Sequence, residues 1–185
     1  MSTGLLEETY QLFEATECAI LTVVLRNDYE GQICALARSL ELIGERWTLM
    51  VIREVFLGRR RFSEMQENLG IARNVLTSRL QRLVDAGVLE KRPYSERPKR
   101  EQYYLTEMGL DLWPAIVTLT YWGDTYVPLP GGPPMILRHK GDCGGVINDR
   151  RVCEKCGKEL TVRESVATEG PGLKPALRDL ERAAA

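Results

Sequence analysis

A single histidine, His139, serves the whole chain, and three of the five cysteines fall within the short stretch from Cys143 to Cys156. Apart from His139, which adjoins that stretch, no imidazole is available for general acid–base work. The chain also lacks a glycine-rich phosphate loop and any pair of carboxylates set in a motif, so no nucleophile and base are assembled and an enzyme is not expected. Thiol–disulfide exchange at Cys153 and Cys156 would call for a thioredoxin-like βαβ pattern around the CxxC, which is missing. Long apolar runs are missing as well: the longest, Ala19 to Leu25, is far short of the roughly 20 residues of a membrane span. The acids ahead of it, Glu7, Glu8, Glu14 and Glu17, are the wrong flank for a secretory signal. A cytoplasmic protein without a membrane partner is expected. The cysteines are too few and too clustered for a disulfide framework, and suit metal or redox use in a reducing compartment.

Net charge is nearly absent, at a formal -1, yet it is unevenly placed. From Gly58 to Arg100 there are eleven Lys and Arg against five Asp and Glu, a net of +6, which leaves -7 for the remainder. A positive module in an acidic frame suits a polyanionic partner, with an ordinary solvated charged face as the plainer alternative.

Periodicity locates that module. Ile33, Ala37, Leu40 and Ile43 recur at helical spacing up to Gly44, and Thr48 is placed to cap a helix from Leu49 to Leu57 that stops at Gly58. Ser63 opens SEMQENLG, a capping-box-like start with Gly70 as the stop. In the helix that follows, Ala72 to Ala86, Leu76, Leu80 and Leu83 share one stripe while Asn74, Ser78, Gln81 and Arg82 face away, flanked by Arg73, Thr77 and Arg79. Val88 to Tyr94 and Arg100 to Leu105 alternate with period two about a Ser-Glu-Arg-Pro-Lys tip. Helix, basic turn, short helix, second helix and a two-stranded wing make a winged helix-turn-helix, a module for duplex DNA.

Thr106 caps an apolar stretch from Glu107 to Val127, which Pro114 must kink or break. Its apolar residues lie on both sides, so either a second chain covers them or the helix folds back on its own domain. PLPGGPP, residues 128–134, reads as a linker, and H-x3-C-x9-C-x2-C follows it: His139, Cys143, Cys153 and Cys156 are ligands of the kinds structural zinc takes. A metal-free ribbon held by β-pairing alone is the other reading. The fold class expected is mainly α within α+β: an arm over 1–28, a DNA-binding and dimerisation domain over 29–127, the linker, a zinc-ribbon-like unit over 135–167, and a flexible tail over 168–185.

NDYEGQICALARSLELIGERW, FLGRRRF, GIARNVLTSRLQRLVDAGVLEKRPYSERP, LTEMG and LWP, in that order, resemble the HxlR-type winged helix-turn-helix regulators of bacteria from Asp28 to Leu160. The resemblance implies a homodimeric transcription regulator whose terminal helices make the dimer contacts. It also sets Cys34 where some members carry a thiol that senses oxidants, electrophiles or quinones. Burial in the core is the competing role for Cys34, and an effector held near Trp47, Trp113 and Trp122 is the competing signal. Glu101 departs from the family, which more usually has an aromatic residue there.

On this reading Asn74, Ser78 and Gln81, with Thr77 beside them, address base edges in the major groove. Arg73, Arg79 and Arg82 reach guanines or phosphates, Arg59, Arg60 and Arg61 grip the backbone, and Arg97 enters a minor groove with Lys99 and Arg100 on flanking phosphates. The expected function is a regulator on a pseudo-palindromic operator. A winged-helix protein–protein adaptor is the alternative.

Overall fold

The computed structural model describes residues 29, 31, 33–97 and 99–184. The arm over 1–28, with Cys18, lies outside the described residues. Four helices come first, α1 (Ala35–Ile43), α2 (Thr48–Phe56), α3 (Phe62–Leu69) and α4 (Arg73–Asp85). They are followed by the hairpin β1 (Leu89–Glu96) and β2 (Lys99–Leu105), then α5 (Glu107–Leu110) and α6 (Trp113–Tyr126). A second antiparallel pair, β3 (Met135–His139) and β4 (Ser165–Glu169), and a last helix, α7 (Leu173–Ala184), complete the chain.

The predicted stripe on α4 is the centre of the core: Leu76, Leu80 and Leu83 are sealed against Val51, Ile52 and Val55 of α2, Met65 of α3, and Val88 and Leu89 where β1 begins. Full burial of each such side chain contributes roughly 1.5–3 kcal/mol, which fixes the outward face of α4 by fixing its inward one.

Helix starts differ from the sequence reading in two places. Thr48 does not cap α2; it is buried inside the first turn, because the chain enters through Trp47 at φ 78° and the Thr48 N–H donates to Glu45 O at 3.0 Å. The Thr48 hydroxyl is left without a partner among the described residues. At α3 the cap is Arg61 rather than Ser63, since Glu64 Oε2 accepts from the Arg60 and Arg61 N–H groups at 3.2 and 3.1 Å and draws the helix start two residues earlier.

The wing pairs from Leu89↔Leu105 to Glu96↔Lys99, so only positions 97 and 98 separate the strands and the five-residue tip is shortened. An irregularity between Pro93 and Ser95 inserts one residue into β1; proline has no N–H to give the ladder there. Pro114 breaks the 107–127 stretch outright: Thr106 Oγ1 caps α5, accepting from Gly109 N at 3.2 Å, and α6 restarts with proline in its first turn.

The linker and tail are more ordered than their composition suggests. Gly170 N donates to Pro134 O at 2.9 Å and Gly172 N to Pro133 O at 3.1 Å, joining the end of 128–134 to the start of α7. Residues 168 and 169 belong to β4, and 173–184 are helical. Among the described residues no helix is long and apolar enough to cross a membrane.

Candidate nucleic-acid interface and metal centre

With its apolar stripe inward, α4 presents Arg73, Asn74, Thr77, Ser78, Gln81 and Arg82 along one open groove, with Asp85 at its end. The two halves of this face differ. Asn74 and Ser78 are exposed and make no side-chain hydrogen bond among the described residues, and Arg73 lies over the Phe62 ring at 5.1 Å with no ion pair among them. Thr77 is exposed, its hydroxyl donating to Arg73 O at 2.8 Å. In the second half Gln81 Nε2 donates to Asp85 Oδ1 at 2.7 Å and its Oε1 accepts from Lys91 Nζ at 3.2 Å.

Arg79 and Arg82 are not free to reach out as the sequence reading had them. Both pair with Glu45; Arg79 Nε also donates to Arg46 O at 3.2 Å, and Arg82 to Glu41 O. They tie α4 to the turn after α1. Glu45 was invisible as their partner in sequence, since nothing links positions so far apart until the fold closes.

The basic turn is also largely engaged. Glu54, fully buried on α2, is held by Arg53 at 2.6 Å, by Arg59 at 3.2 Å and by Asn68 Nδ2 at 2.7 Å. A carboxylate so placed is retained only when paired, so Arg59 is its counterion rather than a free phosphate contact. Arg60 stacks on Tyr104 at 4.4 Å and Arg61 on Tyr94 at 5.0 Å, with Glu64 3.6 Å from Arg61, which plants this turn on the wing. Both guanidiniums stay exposed at their outer edges. Arg97 at the tip and Arg100 on β2 are exposed and without an ion pair among the described residues; Lys99 pairs with Glu96 in the strand register, and its side chain lies outside the described residues.

His139, Cys143, Cys153 and Cys156, scattered through the sequence, are brought together by the second strand pair so that one ligand atom of each lies within 4.8 Å of every other. Cys143 Sγ is 3.6 Å from Cys153 Sγ, and Cys156 Sγ is 3.4 Å from His139 Nδ1. The backbone builds this gathering: His139 N donates to Gly145 O at 2.9 Å, Glu154 N to Val146 O at 2.8 Å, and Gly157 N to Cys153 O at 2.8 Å. Gly144 turns the chain at φ +58°, and at Gly145 any Cβ would press on Cys153 Sγ and the Lys155 side chain. Burial pushes the Cys153 thiol up, but hydrogen bonds from the Cys156 and Lys155 backbone, His139 and Cys156 outweigh it and bring its pKa to about 6. A thiol favoured as thiolate among a second thiol pair and an imidazole is a donor set that can hold a metal ion.

Cys34 is exposed, not buried, and its sulfur accepts from Ala37 N at 3.3 Å as the cap of α1. The three tryptophans do not share one pocket: Trp113 is buried against Phe56, whereas Trp122 stands exposed beside Tyr126 and Trp47 packs at the core edge.

The profile of the HxlR-like helix-turn-helix family matches residues 42–130, from the end of α1 past α6. An uncharacterised HTH-type transcriptional regulator of Mycobacterium tuberculosis is 48% identical over 153 residues, covering 83% of this chain and 95% of that protein. This chain belongs to the HxlR-like helix-turn-helix family. The uncharacterised HTH-type regulator YdeP of Bacillus subtilis is 32% identical over 54% of this chain and 77% of its own length. Among solved structures, that of PA1607, a candidate transcription factor, is similar with a TM-score of 0.57 and 32% identity, over 72% of this chain and 93% of that one. The metal-ligand cluster lies beyond the 42–130 that the HxlR-like profile matches.

Proposed function

We propose that this HxlR-like chain is a homodimeric, sequence-specific DNA-binding regulator of transcription and not an enzyme. The observation that carries this reading is the exposed first half of α4, where Arg73, Asn74 and Ser78 have no side-chain polar partner among the described residues, held outward by a sealed leucine stripe next to a wing tipped by Arg97. Helix-turn-helix proteins read base edges with the N-terminal residues of this helix, and those are the polar side chains left free among the described residues. Arg60, Arg61, Lys99 and Arg100 supply phosphate contacts, while Arg79 and Arg82 set the posture of the helix and Arg59 neutralises Glu54.

Apolar side chains that stand exposed among the described residues support a dimer. Leu119, Trp122 and Tyr126 on α6 are 53–70% exposed, Leu36 on α1 is 68% exposed and Ile33 just before it 92%, and such patches mark interfaces. Two α4 helices would then enter successive major grooves about 34 Å apart. Footprinting on a selected operator should reveal a twofold repeat. Asn74→Ala should relax base preference at one position per half-site by roughly 1–3 kcal/mol while leaving random-sequence binding unchanged. Equal loss on specific and random DNA, or affinity insensitive to salt, would instead support a protein–protein adaptor.

The His139, Cys143, Cys153 and Cys156 cluster fits structural zinc, since three thiols and one imidazole are among the ligand sets that zinc takes. Bound there, zinc would supply cross-linking of a small fold. Cys34 is the proposed redox input: an adduct on this exposed cap, beside the uncovered apolar residues, would shift the dimer between states of different operator affinity. Operator binding before and after oxidant should change for the wild type and not for Cys34→Ser; an identical response of both removes the thiol from the mechanism.

A further inference from the structure

A cavity of about 560 Å³ lies between the end of α2, the start of α6 and the strands β3 and β4. That size falls within the range of sites for small organic ligands. Its walls are apolar where Phe56, Leu57, Trp113, Met135, Leu137 and Ala167 meet. Its charged groups are Arg59, Arg60 and Lys140, against Glu169 alone.

How those charges are satisfied sets the sign of the site. Arg59 shares the Glu54 carboxylate with Arg53, one anion between two guanidiniums. Arg60 has only the face of Tyr104, and exposed Lys140 has only the carbonyl of Arg163, at 2.7 Å; neither meets a carboxylate among the described residues. A neighbouring cavity of about 550 Å³, also walled by Trp113, is different. There Arg163 and Arg151 are matched by Glu107 at 2.9 Å and Glu159 at 2.8 Å, so no cationic excess remains.

Trp113 is a second observation. It is 92% buried by its 8% exposure, and its indole Nε1–H is sealed from solvent with no acceptor among the described residues. A buried donor left unpaired is costly and calls for an explanation. Atoms the size of a solvent oxygen do not reach that N–H, so what Trp113 offers a ligand in the adjoining cavity is the apolar surface of its ring.

We propose that this cavity binds a flat lipophilic carboxylate, an aromatic acid that its volume admits. Its rings lie on Trp113 and Phe56, and its carboxylate meets Lys140 and Arg60. The site is independent of whether the chain reads DNA, so the test is of binding alone. Full-length protein as purified is titrated calorimetrically with 2-naphthoate and with its neutral counterpart 2-naphthamide.

The acid should bind saturably, one per chain, and at least about tenfold more tightly than the amide, about 1.4 kcal/mol. Lys140→Gln, at an exposed position, should remove most of that preference while leaving amide binding unchanged. Ala167→Phe, which fills the cavity from β4, should abolish binding of both with metal content and circular dichroism intact. Equal affinity for acid and amide, retained preference in Lys140→Gln, or no saturable binding by the wild type would each overturn the proposal.

Discussion

Around α4 eleven buried apolar side chains pack from α2, α3, α4, the turn before it, α6 and the root of the wing, whereas the cysteine-bearing segment between β3 and β4 buries a cluster of three, Ile147, Cys153 and Leu160. One of those three is itself a candidate ligand. A unit of that size cannot offset the ordering of its own backbone by apolar burial, and small folds of this kind depend on a cross-link. The winged-helix half can spend its polar side chains on recognition because leucine and valine hold it together. On the proposed zinc reading, the ribbon relies on its polar side chains for its stability. Among the described residues two polar side-chain contacts join the halves, Arg163 to Glu107 at 2.9 Å and the Tyr121 hydroxyl to Ile147 O, beside the apolar side chains of both that line shared cavities.

The largest expected effect breaks the ribbon and spares the rest. Chelation, or Cys153→Ser, should bring zinc from one per chain to near zero and abolish amide exchange protection in β3 and β4. Structural zinc contributes on the order of 10 kcal/mol of apparent folding energy in small units. Protection over α2 to β2 should persist. The reciprocal substitution, Leu80→Ala, should cost about 2–5 kcal/mol in denaturant unfolding of the winged helix and leave metal content at one. If β3 and β4 stay protected without metal, the ribbon holds itself by β-pairing and the contrast between the halves fails.

What was legible in sequence follows the same division. The α4 stripe, the wing, the break at Pro114 and the four gathered ligands were readable because each rests on short-range spacing or on a residue type with few alternative uses. The cap of α2 was not, because Trp47 takes a positive φ that no aromatic residue advertises. The glutamate partners of Arg59, Arg79 and Arg82 are not legible for a different reason. A guanidinium looks the same in sequence whether its partner is a phosphate or a glutamate, and Glu45 meets Arg79 and Arg82 only through the fold. The backbone pairing of Gly170 and Gly172 is hidden by composition, since Gly and Pro read as loop even where their carbonyls and N–H groups are paired.

The smallest expected effect sharpens the claim that polar contacts in the winged-helix half serve recognition more than stability. Glu45→Gln removes the carboxylate shared by Arg79 and Arg82, both of which keep backbone carbonyls to donate to. Partly exposed pairs of this kind are worth about 0.2–1 kcal/mol, so the unfolding midpoint should barely move. DNA binding should respond more: one negative charge leaves the edge of the reading face and two guanidiniums lose their internal anion. Each new phosphate contact steepens the dependence of log affinity on log salt by about 0.9. Random-sequence affinity at low salt should therefore rise severalfold, with a slope steeper by about one to two, while base preference at the positions read by Asn74 and Ser78 is unchanged. A fall in affinity would mean instead that Glu45 orients Arg79 and Arg82 toward the duplex, and that the posture of α4 depends on the pair.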